Sequence, residues 1–138
     1  MDNQLSFKVL REANLRRLPL FKNAKGEIAH KLGDVADWSI ADWVVAIVGE
    51  LGELSNVFKK IRRGDFTQEE VQSDIEKEMA DVQCYLDLLA SRCGVELGAA
   101  VIFKFNEVSD RIDVPIKIDL NGRTVYNQDL DATTDDHR

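Results

Sequence analysis

The amino-acid sequence predicts an all-α fold, an antiparallel helical bundle completed by oligomerisation, with a short β-hairpin near the C-terminal end. Three observations carry this expectation. Two long segments place apolar residues at the three- and four-residue spacing of amphipathic helices. The connection between them is short, and short connections force neighbouring helices to run antiparallel. Alternation of apolar and polar residues, the mark of a strand, appears around Asn121-Gly122.

In chain order, Leu5 to Arg16 has helical spacing, while Leu18 to Asp37, interrupted by Gly26 and Gly33, reads as loop or short helix. Ser39-Ile-Ala-Asp42 has the form of a helix start, with a capping hydroxyl and an acid three residues on. From there Ile40, Trp43, Val44, Ile47, Val48, Leu51, Leu54, Val57, Phe58 and Ile61 mark one apolar face as far as Gly64. Thr67-Gln-Glu-Glu70 is a capping box, and Val71, Ile75, Met79, Val82, Leu86 and Leu89 carry a second long helix to a stop at Gly94. A third helix runs from Glu96 to Arg111, and Pro115, which lacks an N–H, bars its continuation. Ile116–Leu120 and Arg123–Tyr126 then form the hairpin. One domain is expected over 1–128, its core helices at about 39–112 and its hairpin at about 116–126. Residues 129–138, polar and acidic, read as a frayed tail.

At 138 residues, with 44% hydrophobic and 31% charged, the chain has the size and composition of one soluble globular domain. No apolar run approaches the roughly 18 residues of a spanning helix, and Met1 to Lys8 lacks a signal pattern, so the cytoplasm is the expected location. A net charge of −7 argues against binding nucleic acid, although a free polyphosphate can bind where divalent cations lie between carboxylates and phosphate oxygens. Cys84 and Cys93 are too far apart along one helix to bridge and read as reduced core thiols. With His30 and His137 the only histidines and no CxxC, a metal site has to be built from oxygen.

Acids stand on the wrong face of both long helices. At about 100° per residue Glu50 falls inside the apolar arc and Glu53 at its margin. Glu78 and Asp81 repeat that phase relative to Ile75, as Glu50 and Glu53 stand to Ile47. Counted from a turn at Asp65, Glu53 should meet Glu78, and Glu50 should meet Asp81. An isolated ExxE is ordinarily a solvated helix edge. Four carboxylates converging on a partly apolar cleft would repel each other and lose hydration unless a cation neutralised them. Mg²⁺ suits an all-oxygen set, with Mn²⁺ as a substitute. A di-iron bundle would instead need Glu-x-x-His, which is absent.

Gly49-Glu-Leu-Gly-Glu53, Glu78-Met-Ala-Asp81 and Lys104-Phe-Asn-Glu-Val-Ser-Asp-Arg111 together resemble the all-α nucleotide pyrophosphohydrolases, which include MazG and the dimeric dUTPases. The resemblance covers about residues 39 to 112. It implies Mg²⁺-dependent cleavage of a (d)NTP between its α and β phosphates, giving (d)NMP and pyrophosphate. It also implies that Glu50, Glu53, Glu78 and Asp81 bind the metal and are the catalytic acids. The first Glu of the family's EExxE pattern is Gly49 here, so the pattern names no general base.

For the substrate, Lys104 and Arg111 share a face of the third helix and could hold the pyrophosphate end, or else be surface charge with packed stems. Asn106 comes from the motif only, since its helical phase lies off that face. Lys59, with Lys60, Arg62 and Arg63, offsets a helix dipole and could also reach a phosphate in an oligomer. Trp43 stands about 10 Å along the axis from Glu50, where it could stack on a base or simply be core. Trp38 reads as a packing staple. Asn14 could read a base edge, although a surface asparagine is the commoner case. Apolar faces left by so few helices need a second copy, so a homodimer or homotetramer is expected. The alternative function is a noncatalytic helical module that binds nucleotide and Mg²⁺ for regulation or assembly. The preferred base is not readable from the sequence.

Overall fold

The structure, a computed structural model, describes residues 5–31, 33–34 and 37–126. The acidic tail at 129–138 and His137 lie outside the described residues. Among the described residues there are four α-helices, α1 (Phe7–Arg17), α2 (Ile40–Arg63), α3 (Gln72–Arg92) and α4 (Leu97–Arg111). Two strands, β1 (Ile116–Ile118) and β2 (Thr124–Tyr126), pair antiparallel, with Ile116 opposite Tyr126 and Ile118 opposite Thr124. The fold is therefore mostly helical, with the expected hairpin. None of these helices is long and apolar enough to cross a membrane. The chain forms two compact units, Met1–Val95 and Glu96–Arg138.

In the first unit the long hairpin of α2 and α3 is fixed at its ends by local chemistry. Ser39 accepts from the Asp42 N–H while the Asp42 carboxylate accepts from the Ser39 N–H at 2.8 Å, so both orphan donors are satisfied. The ring of Trp38, the residue before the cap, lies 4.8 Å from that of Trp43 on the next turn, the geometry of a hydrophobic staple. Gly64 ends α2 in the left-handed region (φ 81°), which a side chain would strain. The Thr67–Glu70 box forms as expected, with the Glu70 carboxylate accepting from the Thr67 N–H at 2.7 Å. It opens a 3₁₀ turn, Glu69–Val71, and α3 proper starts only at Gln72.

The core of this unit is Leu18, Trp43 and Leu88, with Tyr85 and Leu89 packed around them. A 3₁₀ turn, Leu18–Leu20, turns the chain out of α1 and inserts Leu18. Cys84 is half-buried, but Cys93, at the C-cap of α3, is exposed and is not the core thiol the sequence suggests. A cap residue leaves the packed helix face, which is why helical phase alone misplaces it.

In the second unit α4 carries β1 through Asn106, whose amide donates to the Ile118 carbonyl at 2.9 Å and accepts from its N–H at 2.8 Å. The hairpin loop is longer than a two-residue Asn-Gly turn. The Gly122 N–H donates to Asp119 and the Asp119 N–H to Arg123, which closes a three-residue loop with Gly122 at φ 77°. Asn121 does not take the positive φ that a type I′ turn would require.

Candidate metal centre and the adjoining cavity

Three of the four acids come together. Glu50 on α2 and Glu78 and Asp81 on α3 each offer a carboxylate oxygen, and the three oxygens lie within 4.8 Å of one another. Glu53 falls outside that set, exposed beside an open groove with Gly49, Gly52 and Lys59. Trp43 and Tyr85 meet across the hairpin with ring centres 6.1 Å apart. Glu50, seven residues on along α2, converges with both Glu78 and Asp81 of α3.

Burial raises the Glu50 pKa above its ordinary value, and the negative charges of Asp81, Glu53 and Glu78 push it the same way. Glu53 is thus felt at the site although it is not one of the three converging acids. An octahedral hard cation with bonds of about 2.1 Å keeps neighbouring ligand oxygens about 3 Å apart and opposite ones about 4.2 Å apart. Three carboxylate oxygens within 4.8 Å of one another are within the range of those spacings, so the donor set fits a metal ion.

A cavity of about 320 Å³ adjoins the acids and shares Glu50 and Asp81 with them. Its aromatic lining comes from Phe21, His30, Trp43 and Tyr85, and its polar lining includes Asn14 and Arg17. Trp43 is fully buried, and its indole N–H has no acceptor among the described residues. His30 is also buried, its Nδ1 lying 3.2 Å from Asp37 Oδ1. Asp37 in turn stands 3.6 Å from Arg92, which donates to the Trp38 carbonyl at 3.0 Å. These contacts tie the segment before α2 to the end of α3. Tyr85 has its pKa raised, chiefly by burial and then by the charges of Glu50 and Asp81.

Asn14 is not a surface residue. It is 2% exposed, and its amide nitrogen donates to Asp87 Oδ2 at 3.0 Å and to the Cys84 carbonyl at 3.3 Å. A buried carboxylate on α3 draws it inward. Lys104 pairs with Glu107, Asn106 holds β1 and Arg111 is exposed at the end of α4, all within the second unit. Tyr85 stands seven residues after Glu78, so its place beside the acids was open to a reading of helical phase. His30 and Phe21 sit in an irregular segment with no periodicity to read.

No protein-family model matches the chain. It is 35% identical to dCTP pyrophosphatase 1 of Rattus norvegicus over 75 residues, which covers 51% of this chain and 44% of that protein. It is 36% identical to the Gene 37 protein of Mycobacterium phage L5 over 72 residues, covering 50% of this chain and 62% of that one. The chain thus spans less than two thirds of the length of either relative.

Proposed function

We propose that this protein is a Mg²⁺-dependent nucleoside triphosphate pyrophosphohydrolase that cleaves a (d)NTP between its α and β phosphates, releasing (d)NMP and pyrophosphate. One observation carries the reading: Glu50 and Asp81 belong at once to a cluster of acids that fits a cation and to the wall of an aromatic-lined cavity of about 320 Å³. Concave aromatic-lined cavities of about 300–1,000 Å³ are the ordinary form of a small-molecule site. The similarity to a dCTP pyrophosphatase supports a deoxynucleotide as substrate.

Glu50, Glu78 and Asp81 would hold the ion, with Mn²⁺ able to replace Mg²⁺, and Glu53 would join them by turning its side chain. When bound, the metal would polarise phosphate oxygens and the attacking water. Trp43 and Tyr85 would flank the base with their rings. The unpartnered Trp43 N–H would gain an acceptor from it, relieving a desolvation penalty of roughly 1–3 kcal/mol. Asn14 lines the same cavity. Lys59, on α2 in the same unit as the acids, is the candidate for the pyrophosphate end. Val44, Val48, Leu51 and Phe58 form an exposed apolar stripe along α2, which supports burial against another copy in a homodimer or homotetramer. A free-nucleotide hydrolase of this kind would work in the cytoplasm, with neither nucleic acid nor membrane as partner.

The test is to incubate the protein with each dNTP and Mg²⁺ and resolve the products. Monophosphate plus pyrophosphate is the expected pair, and diphosphate plus phosphate would mean that another bond is cut. A second reading, a noncatalytic module that binds nucleotide and metal, is favoured by Gly49, which leaves open space where the family pattern has a carboxylate. Binding without turnover would select that reading.

A further inference from the structure

Asp87 is fully buried in α3 and takes no part in the acid cluster. Its two oxygens are committed, Oδ1 to the Arg11 guanidinium at 2.9 Å and Oδ2 to the Asn14 amide nitrogen at 3.0 Å. That nitrogen also donates to the Cys84 carbonyl, so both of its hydrogens are used inside the fold. Reversing the amide would set its oxygen against a carboxylate and a carbonyl, two acceptors with no proton between them. The buried charge therefore fixes which way Asn14 faces.

With the amide fixed, Asn14 Oδ1 points away from Asp87 and accepts from Arg17 Nη2 at 3.2 Å. The Arg17 guanidinium also lies over the Phe21 ring, 5.6 Å from its centre. These two contacts hold a planar cation at the lining of the cavity that Glu50 and Asp81 share. Arg17 has no carboxylate partner among the described residues, and the Asn14 contact occupies one of its five N–H donors. The phenol of Tyr85 feels Glu50, Asp81 and Arg17 together, which agrees with their common location.

We propose that Arg17 is a substrate-binding residue that takes a phosphate oxygen of the bound nucleotide, and that Asp87 is its positioning residue, acting through Asn14. The chemistry is that of a guanidinium fork, whose parallel donors match two phosphate oxygens. The assignment rests on the nucleotide reading above. It adds a cation from α1, inside the first unit, to a site whose other first-unit charges at the cavity are carboxylates.

The experiment compares wild type, Arg17→Gln and Arg17→Lys with each dNTP and Mg²⁺. Calorimetry on the same proteins measures binding of the dNTP and of its deoxynucleoside with Ca²⁺ in place of Mg²⁺. For Arg17→Gln the expected result is a KM raised by about tenfold to a hundredfold, a smaller fall in kcat and unchanged deoxynucleoside affinity. Arg17→Lys should recover part of the loss, because charge survives and the fork does not. Asp87→Asn, which frees the Asn14 amide to turn, should raise KM in the same direction while Arg17 remains in place.

If wild type turns over a dNTP and Arg17→Gln leaves KM and kcat unaltered, the role of Arg17 is refuted and the pyrophosphohydrolase reading stands. Equal weakening of dNTP and deoxynucleoside would place Arg17 on the base and refute the phosphate contact. Wild type that neither binds nor hydrolyses any dNTP overturns the nucleotide reading, and this inference with it. Arg17 is exposed, so its variants should fold whether or not Asp87→Asn does.

Discussion

Glu50 on α2 and Asp81 on α3 face each other with carboxylate oxygens within 4.8 Å, and after burial Asp81 is the foremost cause of the raised Glu50 pKa. Two negative groups held this close, in a partly dehydrated cleft, destabilise each other until a cation or a proton intervenes. The behaviour of the site follows from that relationship.

Asp81→Asn removes the nearest charge and keeps the shape. Glu50 should then titrate at lower pH than in wild type, as read from its side-chain carboxyl shift by NMR. Metal-dependent turnover should fall by about a hundredfold or more. An unmoved Glu50 titration would mean that the two residues do not face each other in solution.

The pH dependence has a definite sign. A carboxyl whose pKa is raised in the folded state favours folding when protonated, a contribution present in acid and lost as pH rises through the folded value. Removal of the metal should therefore leave a protein that gains stability on moving from neutral to mildly acidic solution. The bound cation needs the deprotonated form, so the increase in Tm on adding Mg²⁺ should grow over the same range as pH rises. Thermal melts with Mg²⁺ and with a chelator test this, and a metal-induced increase independent of pH would contradict it.

Glu53 and Glu78 should differ in effect. Glu78→Gln takes an oxygen from the converging set and should weaken metal affinity by at least tenfold. Glu53→Gln removes a charge neighbouring Glu50 and an acid that must first turn to reach the ion, so it should weaken it less. Metal titration by calorimetry orders the two, and a larger loss at Glu53 would show that the bound site recruits it in place of Glu78.

Ser39→Ala breaks the reciprocal cap of α2 without touching the cavity. Stability should drop by about 1 kcal/mol in urea unfolding, within the usual range for such caps, with KM unchanged. A shift in KM would mean that the start of α2 and the staple from Trp38 to Trp43 set the cavity's shape.

Trp43 joins the core to the cavity. Trp43→Ala should cost about 3–5 kcal/mol, whereas Trp43→Phe keeps most of the packing and loses the N–H. If that donor reads the base, Trp43→Phe should raise KM while its urea midpoint stays near wild type.

Taken by itself, the sequence determined what depends on neighbours within a few residues. Capping at Ser39 and Thr67, the stop at Gly64 and the apolar stripes of α2 and α3 are local, and each formed close to where its pattern lay. The same helical phase placed Glu50, Glu78 and Asp81 on facing sides of one hairpin. It did not single out Glu53, which lies on the margin of the same arc and stands outside the three converging oxygens. Only the tertiary structure decided that Asn14 is buried rather than exposed. Its partner Asp87 lies 73 residues away, and no period links the two. The aromatic lining from Phe21 and His30 is of the same kind, since irregular segments take their positions from what they pack against and carry no repeat that would announce it.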